Sequence, residues 1–127
     1  MNTTKRAKIL ADWWWQGVRA VSGRRCVAAF LDSRPVSRFD RLIAVGKAAS
    51  SMCQGALPYL KKNGRALVVT KEGHAEADPD GRIDVIEAGH PLPNAASIRA
   101  GRAVLDAVQS AATTDRLLLL VSGGASA

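Results

Sequence analysis

The sequence has no apolar run approaching the roughly 20 residues that a membrane-spanning helix needs. Near its start it carries Lys5, Arg6 and Lys8, but no continuous apolar stretch leads to a small-residue cleavage site, which argues against a signal peptide. Cysteine is also scarce, and Cys26 and Cys53 match neither a metal-ligand spacing nor a disulfide framework. We therefore expect a cytoplasmic protein with no metal site, in which both cysteines are buried as small apolar residues.

Aromatic residues are equally few, with only three outside the cluster Trp13–Trp15. The formal net charge of +7 is compatible with nucleic acid, a membrane surface or an anionic small molecule as the partner. The basic residues are scattered and do not alternate with aromatics, which favours a solvated surface over a nucleic-acid interface. An anionic substrate fits the same charge.

What the sequence does have is four short apolar runs that each end in a polar turn containing glycine. The runs are residues 42–45, 66–70, 83–86 and 117–121. Such runs are typical of parallel strands in a buried sheet. Ligands of α/β proteins bind beyond the carboxyl ends of these strands, so the pattern predicts the position of a site as well as a fold.

Helical spacing of apolar residues predicts helices over residues 5–22, 24–32, 47–62 and 94–111. Pro58 interrupts the third pattern and should kink that helix or end it early, whereas Asn94 is a suitable N-cap for the fourth. We expect the first helix, which contains Trp13–Trp15, to pack on the sheet rather than form a docking surface. This order predicts an α/β fold with a mainly parallel sheet and flanking helices. Because a helix should follow the last strand, we expect the fold to be incomplete at its C-terminus.

Gly46 and Lys47 close the first predicted strand. A lysine at a helix start adds its ammonium to backbone N–H groups that already favour anions, so the pair suits phosphate or carboxylate. The segment is not a Walker A loop, because Arg41 and Ala48 replace the required residues, and G-x-G-x-x-G is absent. The alternative is a lysine that only extends along a helix start beside a tight turn.

The last predicted strand is followed by Ser122, Gly123, Gly124 and Ser126. Adjacent glycines permit positive φ and close approach of a ligand, and successive N–H groups can then form an anion-binding nest. An ordinary glycine-rich turn is the alternative.

The other two strand ends each place a histidine after a glycine. Lys71 and His74 follow the second strand, and Glu87 and His90 follow the third. Imidazole can act in acid–base catalysis, bind phosphate or ligate a metal, but two histidines are too few to predict a metal site. We treat these four residues as candidates for the edge of the site, with structural hydrogen bonding as the alternative.

Taken together, four motifs resemble the N-terminal domain of glycerate 2-kinases, a family with a C-terminal MOFRL domain. Some of its members carry the label hydroxypyruvate reductase. The motifs occur in the family's order as VGKAA at 45–49, TKEGHA at 70–75, EAGHPLPNAAS at 87–97 and SGGASA at 122–127. The resemblance covers nearly the whole chain. Glu72 departs from it, since the family often has an aromatic residue there.

The resemblance implies a Rossmann-like domain, of which residues 1–127 are the N-terminal portion, and a C-terminal MOFRL domain that this chain lacks. It implies phosphorylation of D-glycerate to 2-phosphoglycerate with ATP and Mg²⁺, in a cleft between two domains. Lys47 matches the family's lysine at the catalytic cleft, and Ser122–Ser126 match its phosphate or substrate loop. We expect the chain alone to be inactive, and a homodimer is compatible with the resemblance.

Three other readings stay open. A hydroxypyruvate reductase would need a nicotinamide site, and no G-x-G-x-x-G is present. A non-catalytic fragment could bind anions or nucleic acid through the basic surface. A truncated gene product would have no independent function.

Overall fold

A computed structural model describes residues 3–78 and 80–125. The helices are α1 (Thr3–Ala20), α2 (Gly23–Asp32), α3 (Ala49–Ala56) and α4 (Ala95–Gln109), and the strands are β1 (Phe39–Val45), β2 (Leu60–Lys71), β3 (Ile83–Ala88) and β4 (Leu117–Val121). The four strands form one sheet in the order β3-β2-β1-β4, and every neighbouring pair is parallel. The predicted α/β fold with a parallel sheet and flanking helices is confirmed.

The main hydrophobic core lies between one face of the sheet and the helices α2 and α3. Leu42 and Ala44 of β1 and Val68 of β2 are almost fully buried there, and Val27 and Leu31 of α2 close the cluster. Successive strand residues point to opposite faces, so Ile43 and Val45 face the other side, where α4 packs. The sheet therefore has one well-filled face and one face that α4 covers in part.

The predicted helix over residues 47–62 is wrong beyond Ala56. A 3-10 turn, Leu57–Tyr59, contains Pro58, and β2 begins directly after it. Proline cannot continue the hydrogen-bond ladder of a helix, and this one ends α3 as a short helix. Gly64 consequently lies within β2, where a Cβ would come 2.9 Å from the carbonyl oxygen of Asp40.

Helix α1 forms where the sequence predicts it, but none of its described residues is buried. Trp13, Trp14 and Trp15 are 66%, 61% and 51% exposed. The expectation that α1 packs on the sheet is therefore wrong for the described part of the chain, because α2 and α3 already cover that face. No helix within residues 3–78 and 80–125 is long and apolar enough to cross a membrane.

Arg41 of β1 anchors the carboxyl end of α4. Its guanidinium donates to Asp115 Oδ2 at 3.0 Å, to the carbonyl oxygen of Ala107 at 3.2 Å, and to the hydroxyl and carbonyl oxygens of Ser110 at 3.0 and 2.8 Å. A cation at this position satisfies helix carbonyls that have no partner within the helix and interacts favourably with its dipole. The contact fixes one end of α4 to the strand that carries Gly46.

Replacing Arg41 with methionine removes these charge-assisted hydrogen bonds. We expect Arg41→Met to lower the free energy of unfolding by about 2 kcal/mol, measured by urea denaturation. Arg65→Met is the matched control, because Arg65 is exposed and lies opposite Arg41 in the register of the neighbouring strand β2. An equal loss in both variants would contradict a specific role for Arg41.

The two cysteines occupy different environments. Cys53 of α3 is fully buried as expected, and burial raises the pKa of its thiol to about 12, with the nearby charges of Asp78 and Glu76 adding to the effect. Cys26 is exposed, which contradicts the prediction. In α2 it lies about 100° around the helix from the inward-facing Val27, which turns it to solvent.

These environments predict selective alkylation. At pH 8 iodoacetamide should label Cys26 in the folded chain and leave Cys53 unmodified, because the thiolate is the reactive form. Peptide mass spectrometry checks the assignment, and labelling in urea should reach both residues. Rapid labelling of Cys53 in the native chain would contradict its burial.

Candidate functional site

Parallel pairing brings the four strand ends to one edge of the sheet. Val45 of β1 pairs with Val69 of β2 on one side and with Val121 of β4 on the other. At the far side of the sheet, Lys71 of β2 pairs with Ala88 of β3. The turns that follow the strands therefore lie side by side, as the four apolar runs predict.

The turns after β1 and β4 interlock through Gly46 and Ser122. Gly46 has a φ of +120°, and a Cβ there would lie 2.5 Å from the carbonyl oxygen of Ser122 and closer still to its hydroxyl. The Ser122 hydroxyl accepts a hydrogen bond from the backbone N–H of Ala48 at 3.1 Å, and the Ser122 N–H donates to the carbonyl oxygen of Val45 at 2.9 Å. Only glycine fits between these groups.

Lys47 lies against the glycine-rich turn. Its backbone N–H donates to the carbonyl oxygen of Gly123 at 3.0 Å. Gly124 has a φ of +83°, and a Cβ there would lie 2.9, 3.2 and 3.0 Å from Cγ, Cδ and Cε of Lys47. The Lys47 side chain therefore lies along Gly124 from Cγ to Cε, and Lys47 and the turn together form a rim at this edge. Ser126, also predicted for this site, lies outside the described residues.

A cleft of about 440 Å³ opens beside this rim, between the sheet and α4. Val45 and Val69 line it from the sheet, and Val104 and Leu105 line it from α4. Gly46 and Gly124 belong to its wall as well, so the cleft is continuous with the Lys47 rim. Its size is within the range of small-molecule sites.

The four candidates for the edge of the site divide into two pairs. Lys71 and His90 line the cleft. Glu87 instead supports the loop after β2, where its carboxylate accepts hydrogen bonds from the N–H groups of Gly73 at 2.9 Å and Ala75 at 3.2 Å. His74 is exposed in that loop and does not line the cleft.

Asn94 ties the start of α4 to the strand ends. As the predicted N-cap, its Oδ1 accepts from the N–H groups of Ala96 at 3.0 Å and Ser97 at 3.2 Å. The same oxygen accepts from the N–H of Gly89 at 3.3 Å, and Nδ2 donates to Glu72 Oε1 at 3.2 Å. This link between the β2 loop, the β3 turn and α4 was missed from the sequence, because it joins residues up to 22 positions apart.

A family model described as "Domain of unknown function (DUF4147)" matches residues 9–127. The chain belongs to this family. A D-glycerate 2-kinase of Thermotoga maritima is 42% identical over 101 residues, which are 77% of this chain and 24% of that protein. An Agrobacterium vitis protein with the provisional name hydroxypyruvate reductase is 33% identical over 98% of this chain and 28% of its own length. The DUF4147 chain thus spans about a quarter of the length of these curated relatives.

The fold of this DUF4147 chain is similar to that of a solved kinase. The crystal structure of a glycerate kinase from Thermotoga maritima superposes with a TM-score of 0.77 at 35% identity, covering 95% of this chain and 29% of that one. The family resemblance drawn from the four motifs is therefore confirmed.

The contact between Gly46 and Ser122 predicts a large cost for a side chain at position 46. Gly46→Ala should lower the free energy of unfolding by about 3 kcal/mol or more, since an unfavourable φ and a steric clash add together. Gly73→Ala is the matched control: Gly73 has a φ of +76°, but a Cβ there meets no atom within 4 Å. It should cost only about 1 kcal/mol in thermal or urea unfolding. Similar losses for both variants would argue against the interlock.

Proposed function

We propose that the chain is the N-terminal portion of a glycerate 2-kinase, and that its carboxyl-edge site serves ATP-dependent phosphorylation of D-glycerate to 2-phosphoglycerate in the cytoplasm. The observation that carries the proposal is the contact of the Lys47 side chain with Gly124, which joins a cation and a glycine-rich turn at one rim. The names of the relatives support the same reaction.

The chemistry of phosphoryl transfer matches these residues. The transferring group carries negative charge on its equatorial oxygens, and catalysis comes mostly from positioning and electrostatic stabilisation. In this proposal the ammonium of Lys47 neutralises that charge, and the backbone N–H groups of Gly123 and Gly124 bind anionic oxygens. The interlock with Gly46 keeps the turn in place while the phosphoryl group moves.

Mg²⁺ belongs to the proposed reaction, but the described residues offer it no protein site. Within residues 3–78 and 80–125, no group of three or more His, Cys, Asp or Glu side chains could hold a metal ion. Glu72 and Glu87 are already engaged by neighbouring N–H groups. Mg²⁺ therefore enters this proposal only with the phosphates of ATP, and no step depends on a metal held by these residues.

Lys47 provides the direct test of the site. Lys47→Met should weaken binding of 2-phosphoglycerate to the chain about tenfold or more, because a charge-assisted hydrogen bond is lost. Titration followed by amide NMR shifts gives the affinity. Lys62→Met is the matched control, since Lys62 is exposed near the start of β2 at the opposite edge of the sheet. Equal weakening by both variants would indicate general attraction to the basic surface and contradict the proposal.

The chain by itself should not catalyse phosphorylation of D-glycerate. The family resemblance implies an active site between two domains, and these 127 residues correspond to about a quarter of the relatives' length. We expect no glycerate-dependent ADP formation in a coupled assay of the chain. Measurable phosphorylation of D-glycerate would contradict the proposal that residues from a second domain are required.

The name of the Agrobacterium vitis relative favours one alternative, a hydroxypyruvate reductase. It would oxidise NADH with hydroxypyruvate, and loss of absorbance at the nicotinamide band detects that reaction. The kinase proposal expects no such change in any longer protein that contains this domain.

A further inference from the structure

The cleft between the sheet and α4 differs chemically from the rim beside it. Its walls are mostly valine, leucine, alanine and glycine, and among residues 3–78 and 80–125 no carboxylate lines it. Glycerate is a small anion with two hydroxyl groups and needs polar partners on most of its surface. The nucleoside half of ATP is uncharged, and its base has two broad faces that gain from contact with apolar side chains.

We propose that this cleft holds the nucleoside of the nucleotide, with the base between the valines of the sheet and the α4 residues Val104 and Leu105. The inference rests on the proposed kinase function and adds to it the location of one substrate. It assigns nucleoside binding to this domain rather than to the remainder of a longer protein.

Gly101 leaves the α4 wall of the cleft open. It lies in the interior of that helix and lines the cleft, yet a Cβ at this position would meet no atom within 4 Å. Glycine destabilises a helix interior relative to alanine, and here no protein contact requires its small size. A flat group can therefore lie directly against the helix backbone at Gly101.

His90 supplies a polar group in the same wall. Its Nδ1 is buried and has no hydrogen-bond partner within the described part of the chain. Buried polar atoms in proteins are nearly always hydrogen-bonded, so a lone one beside a cleft indicates a missing partner. The ring nitrogens and exocyclic amine of a purine offer both an acceptor and a donor for it.

The cleft also opens towards Lys47 and the glycine-rich turn, where the phosphates of the nucleotide are proposed to bind. Gly46 and Gly124 line its end, and the Lys47 side chain crosses Gly124. A nucleoside in the cleft can therefore extend its phosphates to the Lys47 ammonium, while Lys71 lines the same cleft as a second cation. One ligand with an apolar half and an anionic half fits both surfaces.

The experiment tests binding of the nucleoside and of the phosphates separately. The chain is isotopically labelled at its Val and Leu methyl groups and titrated with adenosine, with ADP and with 2-phosphoglycerate. Changes in the methyl NMR shifts report where each ligand binds. Gly101→Leu fills the cleft with a side chain that helices favour. Gly17→Leu is the matched control, because Gly17 is also a helix-interior glycine whose Cβ would meet no atom within 4 Å, but it lies in α1. Thermal unfolding verifies that both variants remain folded.

We expect adenosine and ADP to shift the methyl groups of Val45, Val69, Val104 and Leu105. Gly101→Leu should weaken both ligands at least tenfold, Gly17→Leu should change neither by more than twofold, and Lys47→Met should weaken ADP but not adenosine. No shift with adenosine, or a shift insensitive to Gly101→Leu, overturns the assignment of the cleft. If 2-phosphoglycerate alone binds and depends on Lys47, the cleft assignment fails while the kinase proposal stands.

Discussion

The placement of β1 between β2 and β4 is the constraint on which the site depends. From β1 the chain moves outward through β2 to β3, and it then returns across the sheet through α4 to add β4 on the other side of β1. The strand order therefore reverses between β1 and β4, and at such switch points the turns diverge and leave room for a ligand. Lys47 meets Gly124 at this point. Any other position for β4 would separate the lysine from the glycine-rich turn.

Two carboxylates along this edge form structural hydrogen bonds. Glu87 binds two backbone N–H groups of the β2 loop, and Glu72 is held by Asn94. These hydrogen bonds keep both carboxylates occupied with their own loop. An anion at this edge can be bound by the ammonium groups of Lys47 and Lys71 and by backbone amides of the turn, which are already oriented and cost little reorganisation when charge develops.

Most of the sheet could be predicted from the sequence, because each strand is an apolar run followed by a turn that contains glycine. The carboxyl ends of parallel strands necessarily meet at one edge of the sheet. The failures have tertiary causes. Residues 60–62 continue a helical pattern, but Pro58 and the pairing of β2 with β1 make them a strand. The exposure of α1 follows from α2 and α3 already occupying the sheet, which no local pattern records. The contact of Lys47 with Gly124 was expected in outline, whereas the tether from Asn94 to Glu72 depends on a fold that spacing alone does not specify.

Three glycines show how differently one residue type can contribute to a site. Gly46 is needed because another turn occupies the space of its side chain, and Gly124 because its φ of +83° disfavours any other residue. Gly101 has empty space instead, in a helix that alanine would stabilise. The first two glycines bring protein groups together and can be explained from the chain alone. Gly101 has no such protein neighbour, and its place in the wall of the apolar cleft fits the position that we propose for the uncharged part of the nucleotide.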